Sequence, residues 1–242
     1  MDGRGERMSV WKRILGRMVP VFAAMSAMML AAQPARADLV LSQVIVDLQP
    51  GKPGREDIEL WNNGPERIFV VADPAEIVSP GMPGETRNAN PDPGVSGLLV
   101  TPRRVILEPD QRKLLRIAAV APRAAVDRIY RVTVKPVAGD VAAPETAIKV
   151  LIGYDVLVIY RPGEPAGGVT ATREPRAITL TNQGNTNVEV YEGRQCDAAG
   201  ANCRDLPARR LYAGASLRVA IDHDTPVTYR VSDGRTTVAR EF

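Results

Sequence analysis

Arg128-Ile129-Tyr130-Arg131-Val132-Thr133-Val134-Lys135 sets apolar side chains against polar ones with a period close to two. A strand with one face in a core and the other in solvent needs this period, because successive side chains leave opposite faces of the backbone. Upstream, Asp57-Ile58-Glu59-Leu60 repeats the pattern inside the run Arg55 to Asn62. From Asp38 onward the chain continues in this manner, as short β-like runs punctuated by Pro, Gly, Asn and Asp, with almost no helical periodicity and no recurrent repeat. The fold class expected is all-β.

Seven runs fall before residue 162: Val40 to Leu48, Arg55 to Asn62, Ile68 to Pro74, Leu98 to Leu107, Arg112 to Ala119, Arg128 to Lys135 and Thr146 to Tyr160. Seven strands suit one immunoglobulin-like sandwich. Ser79 to Gly97, rich in Pro and Gly, has no strand pattern and reads as a long loop. The segment 161–168, Arg-Pro-Gly-Glu-Pro-Ala-Gly-Gly, reads as a linker, because proline and glycine at this density do not sustain a central strand. Beyond it Ala177 to Thr181, Asn187 to Glu192, Ser216 to Ala220, Thr228 to Val231 and Thr236 to Arg240 form a second set of strands. The expected organisation is two immunoglobulin-like β-sandwich domains, residues 38–162 and the smaller 163–242.

Residues 1–37 read as a cleaved export signal: Lys12, Arg13 and Arg17 precede an apolar stretch from Met18 to Ala32 and the cleavage triplet Ala35-Arg36-Ala37. The later run Ile148 to Tyr160 is broken by Lys149, Gly153 and Asp155, so no stable membrane insertion is expected. The whole chain has 31 Lys and Arg against 28 Asp and Glu, but six of those cations and two of those anions lie in the signal, leaving a formal charge of −1. A basic footprint for nucleic acid is therefore lacking. Cys196 and Cys203 are the only cysteines, in a compact run suited to a disulfide that closes a hairpin loop in an oxidising compartment. No second Cys or His pair completes a four-ligand metal site.

Catalytic chemistry has little to draw on. The single histidine, His223, sits in Asp222-His223-Asp224-Thr225-Pro226, which reads as a turn, and Glu56, Asp57 and Glu59 read as the polar face of a strand. Neither Gly-x-Ser-x-Gly nor His-Glu-x-x-His nor a phosphate-cradling Gly-Lys motif occurs. The chain reads as non-enzymatic, with no cofactor and no metal.

Three segments in order carry a family resemblance. Leu99-Val100-Thr101-Pro102 leads through Leu107-Glu108-Pro109-Asp110-Gln111 to Leu115-Arg116-Ile117; Asp127-Arg128-Ile129-Tyr130-Arg131-Val132 follows; Val158-Ile159-Tyr160-Arg161-Pro162 closes the set. Together they resemble the periplasmic pilus-assembly chaperones: a Pro-containing strand with a Leu-Glu-Pro turn, an acidic-x-x-Tyr-Arg-Val segment, and a last strand with a Tyr-Arg-Pro exit. The resemblance covers most of residues 38–162.

The resemblance implies a periplasmic protein that stabilises pilin-like subunits by donor-strand complementation and passes them to an outer-membrane usher for pilus or surface-fibre assembly. The donor strand it implies lies in Thr146 to Tyr160, with Ile148, Val150, Ile152 and Tyr154 binding the subunit along one face at period two. Val156 to Tyr160 is expected to pack the chain's own core, and Val137 to Pro144 to act as a cover for the exposed strand. It also implies an inter-domain charged cluster of Arg116, Asp127 and Asp233. Two family positions depart from the pattern: where a carboxylate-anchoring Lys is expected stands Leu157, and where an Arg is expected stands Gln43 or Val46. Lys149, Arg103 and Arg104 are candidate substitutes. The alternative reading is a secreted immunoglobulin-like binding module or a structural pilus component.

Overall fold

The computed structural model describes residues 38–137 and 151–242, in which β-strands and a single helical turn are the only regular elements. The expected export signal, together with Ile148, Lys149, Val150 and most of the expected cover, lies outside the described residues.

The first sandwich contains β1 (Leu39–Leu41), β2 (Ile45–Leu48), β3 (Arg55–Asn62), β4 (Ile68–Val78), β5 (Thr86–Asn88), the turn α1 (Pro93–Ser96), β6 (Leu98–Thr101), β7 (Arg104–Leu107), β8 (Arg112–Ala119), β9 (Arg128–Val137) and β10 (Tyr154–Tyr160). A four-stranded sheet in the order β1-β3-β8-β6 packs on a six-stranded sheet, β2-β10-β9-β4-β5 with β7 also on β4. The inward residues of both sheets, among them Ile58, Leu60, Leu115, Ile117, Val132, Val134, Val156 and Val158, form one buried core. The alternation in the sequence places them there: Ile58 and Leu60 are buried while Asp57 and Glu59 face outward.

Two runs expected as single strands each divide between the sheets. In Val40 to Leu48, β1 pairs antiparallel with β3, whereas β2 pairs parallel with β10. The switch comes at Ser42, whose N–H donates to Glu59 O while its Oγ accepts from Glu59 N–H, which ends the ladder locally. In Leu98 to Leu107, β6 pairs with β8 and β7 with β4. Pro102 stands at the break and has no N–H for a ladder, so the chain crosses between sheets there. The expected loop 79–97 is not wholly irregular: β5 hairpins back onto β4, and Asp92 caps α1 by accepting from Gly94 N–H.

The second sandwich contains β11 (Val169–Glu174), β12 (Ala177–Asn182), β13 (Val188–Gln195), β14 (Arg204–Leu206), β15 (Arg209–Leu211), β16 (Ser216–Ala220), β17 (Thr228–Ser232) and β18 (Thr237–Glu241). Sheet β11-β12-β16 faces sheet β14-β13-β17-β18, with β15 also on β13, around a core of its own. The polar composition of β11, exposed from Thr170 onward, concealed it from sequence reading, and β14 and β15 are only three residues each. Cys196 and Cys203 form a disulfide across the turn between β13 and β14.

Each sandwich contains the same kind of corner at the end of a strand. Asn62 ends β3 and is fully buried; its amide donates to Glu66 O and Leu107 O, and its carbonyl accepts from Gly64 N–H. Asn182 ends β12 and does the same with Thr186 O, Leu211 O and Gly184 N–H. In each case a buried amide satisfies the turn and ties it to a strand distant in sequence.

Candidate functional site: the open edge of β10 and the domain junction

Strand β10 pairs with β9 over its full length, Tyr154 opposite Val134 through Tyr160 opposite Arg128. Its other edge is only half covered: β2 pairs with Leu157 to Tyr160 and stops at Ile45, with Val44 O accepting from Leu157 N–H. Among the described residues, no strand pairs with the outer edge of Tyr154 to Val156. Such an edge presents backbone donors and acceptors to any extended chain that lies beside it.

Val156 and Val158 are fully buried in the first core. Tyr154 is partly buried against the same core, with its hydroxyl donating to Leu39 O at 2.9 Å. Ile152 has the same parity but lies beyond the end of the core and is 54% exposed. Gly153, between them, allows the chain to hug β9, since a Cβ there would stand 2.9 Å from Lys135 Cβ and 3.2 Å from Val134 O. Of the expected subunit-binding residues, Ile152 is therefore exposed at the open end, Tyr154 is half inside the protein, and Ile148 and Val150 lie outside the described residues.

The expected charged cluster requires correction. Arg116 sits on the outward face of β8 directly opposite Asp57 of β3, and the two form a bidentate pair at 2.7 Å for each bond. That hydrogen-bonded guanidinium holds the Asp57 carboxyl below the usual carboxylate range. Arg116 is thus satisfied within its own sheet. Asp233 is turned into its own hairpin turn, accepting from Arg235 N–H at 2.9 Å and Thr236 N–H at 2.7 Å. Burial works to raise its pKa, yet these donors hold it below the ordinary value.

Asp127 does reach the second sandwich, with different partners. Its Oδ1 accepts from Thr186 Oγ1 at 2.8 Å, and its Oδ2 accepts from Asn187 N–H at 2.6 Å and Asn187 Nδ2 at 2.7 Å. The residue that completes the junction is Arg161, expected as linker but only 1% exposed. Its guanidinium grips Asp47 of β2 through Nε and Nη2 at 2.7 and 2.8 Å, and its Nη1 donates to Thr186 Oγ1 at 2.6 Å. Thr186 is the shared element, hydrogen-bonded to Arg161 on one side and Asp127 on the other. Gly234 lies against Arg161: a Cβ at that position would come 2.4 Å from Nη2, and its φ of +84° already favours glycine. Arg123 adds a second clamp, donating to Leu48 O, Gln49 O and Arg161 O while lying over the Tyr160 ring.

Of the expected anchor positions, Leu157 and Val46 are apolar and buried, and Gln43 is polar and half-buried. Arg103 pairs with Asp73 at 2.9 Å, and Arg104 lies exposed at the start of β7. No three His, Cys, Asp or Glu side chains among the described residues converge as metal ligands, and no described helix is long and apolar enough to cross a membrane.

No family model matches the sequence, and no curated protein matches it. Solved structures do. The class 5 fimbriae chaperone CfaA superposes with a TM-score of 0.65 at 20% identity, over 84% of this chain and 98% of that one. The two-domain β-sandwich fold is that of the fimbrial periplasmic chaperones. The E. coli chaperone DraB shares it with a TM-score of 0.59 at 14% identity, over 84% of this chain and 96% of that one. A chain from the complex of Salmonella enterica SafA pilin with the SafB chaperone gives 0.59 at 13% identity, over 87% and 99%. In this fimbrial-chaperone fold β10 is the last strand of the first sandwich, and Arg161 begins the passage into the second.

Proposed function

We propose that this chain is a periplasmic, non-enzymatic chaperone that holds a pilin-like subunit by lending it a strand and delivers it to an outer-membrane usher. The observation that carries this reading is the open edge of β10. Among the described residues no strand pairs with the outer edge of Tyr154 to Val156, where Asp155 O accepts from the Arg131 side chain at 3.2 Å, and the sequence leading into it, Ile148 to Ile152, alternates apolar residues in phase with the strand. Strand addition of this kind supplies affinity through main-chain hydrogen bonds and specificity through every second side chain, the established mode of donor-strand complementation. Ile148, Val150 and Ile152 would fill the groove of a sandwich lacking a strand, while Val156 and Val158 remain in the chaperone's own core and keep the donor in register.

Matched structures support the choice of partner. They include a chaperone–tip adhesin complex of CFA/I fimbriae biogenesis, the CsuC–CsuE chaperone–tip adhesion subunit complex of Acinetobacter baumannii, and the SafA pilin with its chaperone. The polar junction of Asp47, Arg161, Thr186 and Asp127 then serves to orient the second sandwich relative to the donor edge. Co-expression with exported proteins encoded near this chain's gene tests the reading: a one-to-one complex with a pilin-like subunit is expected from periplasmic extract, and the absence of a complex with any of them overturns it.

A further inference from the structure

The sandwiches also meet away from the polar junction. Ile77 of β4, Ile129 of β9, and Leu157 and Ile159 of β10 lie on the face of the six-stranded sheet that points away from the first core, and all four are buried. Ile129 stands opposite both Ile77 and Ile159 in the ladders, so the four form a continuous strip. The side chain packed on that strip is Tyr212, which follows β15 in the second sandwich. The turn between β4 and β5 closes on the same tyrosine: a Cβ on Gly81 would lie 3.1 Å from Tyr212 Cδ2 and 3.5 Å from Ala215 Cβ. One on Gly214 would lie 3.8 Å from Met82 Sδ.

The other end of the same strands provides a comparison within the molecule. Phe69, Ile106 and Val137 are neighbours across β4, β7 and β9 on the same outward face, beyond the strip, and are 39%, 46% and 38% exposed. Position on the outer face therefore does not bury an apolar side chain in this sheet. Burial of Ile77, Ile129, Leu157 and Ile159 comes from being covered. Removing that apolar area from water favours the arrangement in which the second sandwich lies over it. The phenol of Tyr212 responds to the same enclosure, burial pushing its pKa up while Arg131 and Arg210 pull it down and Glu85 adds to the rise.

We infer that Tyr212 is an inter-domain clasp: its ring, seated on the strip of Ile77, Ile129, Leu157 and Ile159 and held by the β4–β5 turn, fixes the angle between the sandwiches in the free protein. The polar junction alone is a hinge on one side. A second contact displaced from it removes the remaining freedom, so the donor edge and the second sandwich are presented to a partner as one rigid frame.

The test uses the full mature chain with no subunit present, so its outcome is separate from that of the chaperone reading. Spin labels at Leu114→Cys on the first sandwich and Val238→Cys on the second, both exposed positions, report the inter-domain distance under non-reducing conditions. One narrow distance distribution is expected for the parent and for Tyr212→Phe, which keeps the ring. Tyr212→Ala should broaden the distribution and raise binding of an apolar dye several-fold, with far-UV circular dichroism unchanged. Leu157→Ala approaches the clasp from the other side and serves if Tyr212→Ala does not fold. A narrow distribution in a folded variant lacking either side chain, or broadening in Tyr212→Phe equal to that in Tyr212→Ala, overturns the inference.

Discussion

Replacing Arg161 by Met keeps the apolar stem and removes the charge that the junction is built around. Two charge-assisted bonds to Asp47 and one bond to Thr186 disappear, and Asp47 is left without its cation. Breaking one side of a buried ion pair costs roughly 3–5 kcal/mol, because the remaining charge keeps its desolvation penalty. Asp47 retains 28% of its side-chain exposure and recovers some hydration, so the lower end, about 3 kcal/mol, is the appropriate figure. For a chain of this size each kcal/mol moves the midpoint by roughly 2–4 °C, which gives a fall in Tm of about 6–12 °C. Arg161→Lys should not rescue, since a point charge cannot reproduce the bidentate fork. Adding Asp47→Leu to Arg161→Met should recover part of the loss, because the uncompensated carboxylate is then gone. Thermal unfolding followed by circular dichroism measures these variants, Asp47→Leu alone and the parent, five proteins in all. A shift below about 2 °C for Arg161→Met, or strict additivity in the double variant, would refute the assignment of Arg161 as the keystone of the junction.

The same geometry makes Gly234→Ala costly, since the new Cβ meets the Arg161 guanidinium at 2.4 Å and the backbone is in the left-handed region; a loss of about 1–3 kcal/mol is expected in urea unfolding, and a neutral variant would contradict the packing. Asn62→Leu removes the amide that bonds Leu107 O and Gly64 N–H and bridges to Glu66 O, so a loss of about 2–4 kcal/mol should appear, with Asn182→Leu behaving alike in the second sandwich. Converting Cys196 and Cys203 to Ser releases a loop with a sequence separation of 7, which should lower stability by about 2.5 kcal/mol, and subunit capture at the distant β10 edge should persist. Burial pushes the Tyr229 phenol up to about 12 from an ordinary value of 10.0, so the folded state favours the protonated form; its contribution is complete below pH 10 and is lost as pH rises towards 12. The urea midpoint should therefore fall across that window, whereas Tyr229→Phe should flatten this part of the profile.

Sequence period was a sufficient guide wherever a strand has one wet and one dry face. The bounds read for Arg55 to Asn62, Arg112 to Ala119 and Ser216 to Ala220 are those of β3, β8 and β16. Period fails where a run of suitable residues changes sheet. Val40 to Leu48 and Leu98 to Leu107 are apolar enough to read as single strands, and only a local event, the Ser42 exchange with Glu59 or the missing N–H of Pro102, decides that each serves both sheets. Arg161 was hidden for a different reason: an Arg-Pro-Gly-Glu-Pro composition signals a linker, and nothing local reveals that the guanidinium turns back to meet Asp47, 114 residues away. The charged cluster expected at Arg116, Asp127 and Asp233 failed because an exposed strand position finds its nearest opposite charge across the ladder, here Asp57. Asp127 alone of the three was placed at the junction, with neutral partners. A sequence signal for the buried corners does exist, in Asn62-Asn63-Gly64 and Asn182-Gln183-Gly184, each at the end of a strand.

The donor edge is the central claim, and subunit capture by an edge-disrupted variant tests it most directly. Ile148, Val150 and Ile152 changed together to Asp should leave the buried part of β10, Val156 and Val158, undisturbed. The mass of the complex recovered from periplasm with a co-expressed pilin-like subunit is the measurement. A one-to-one complex with the parent chain and none with the triple variant, at unchanged circular dichroism and Tm, is the predicted result; an undiminished complex with the folded triple variant would contradict strand donation.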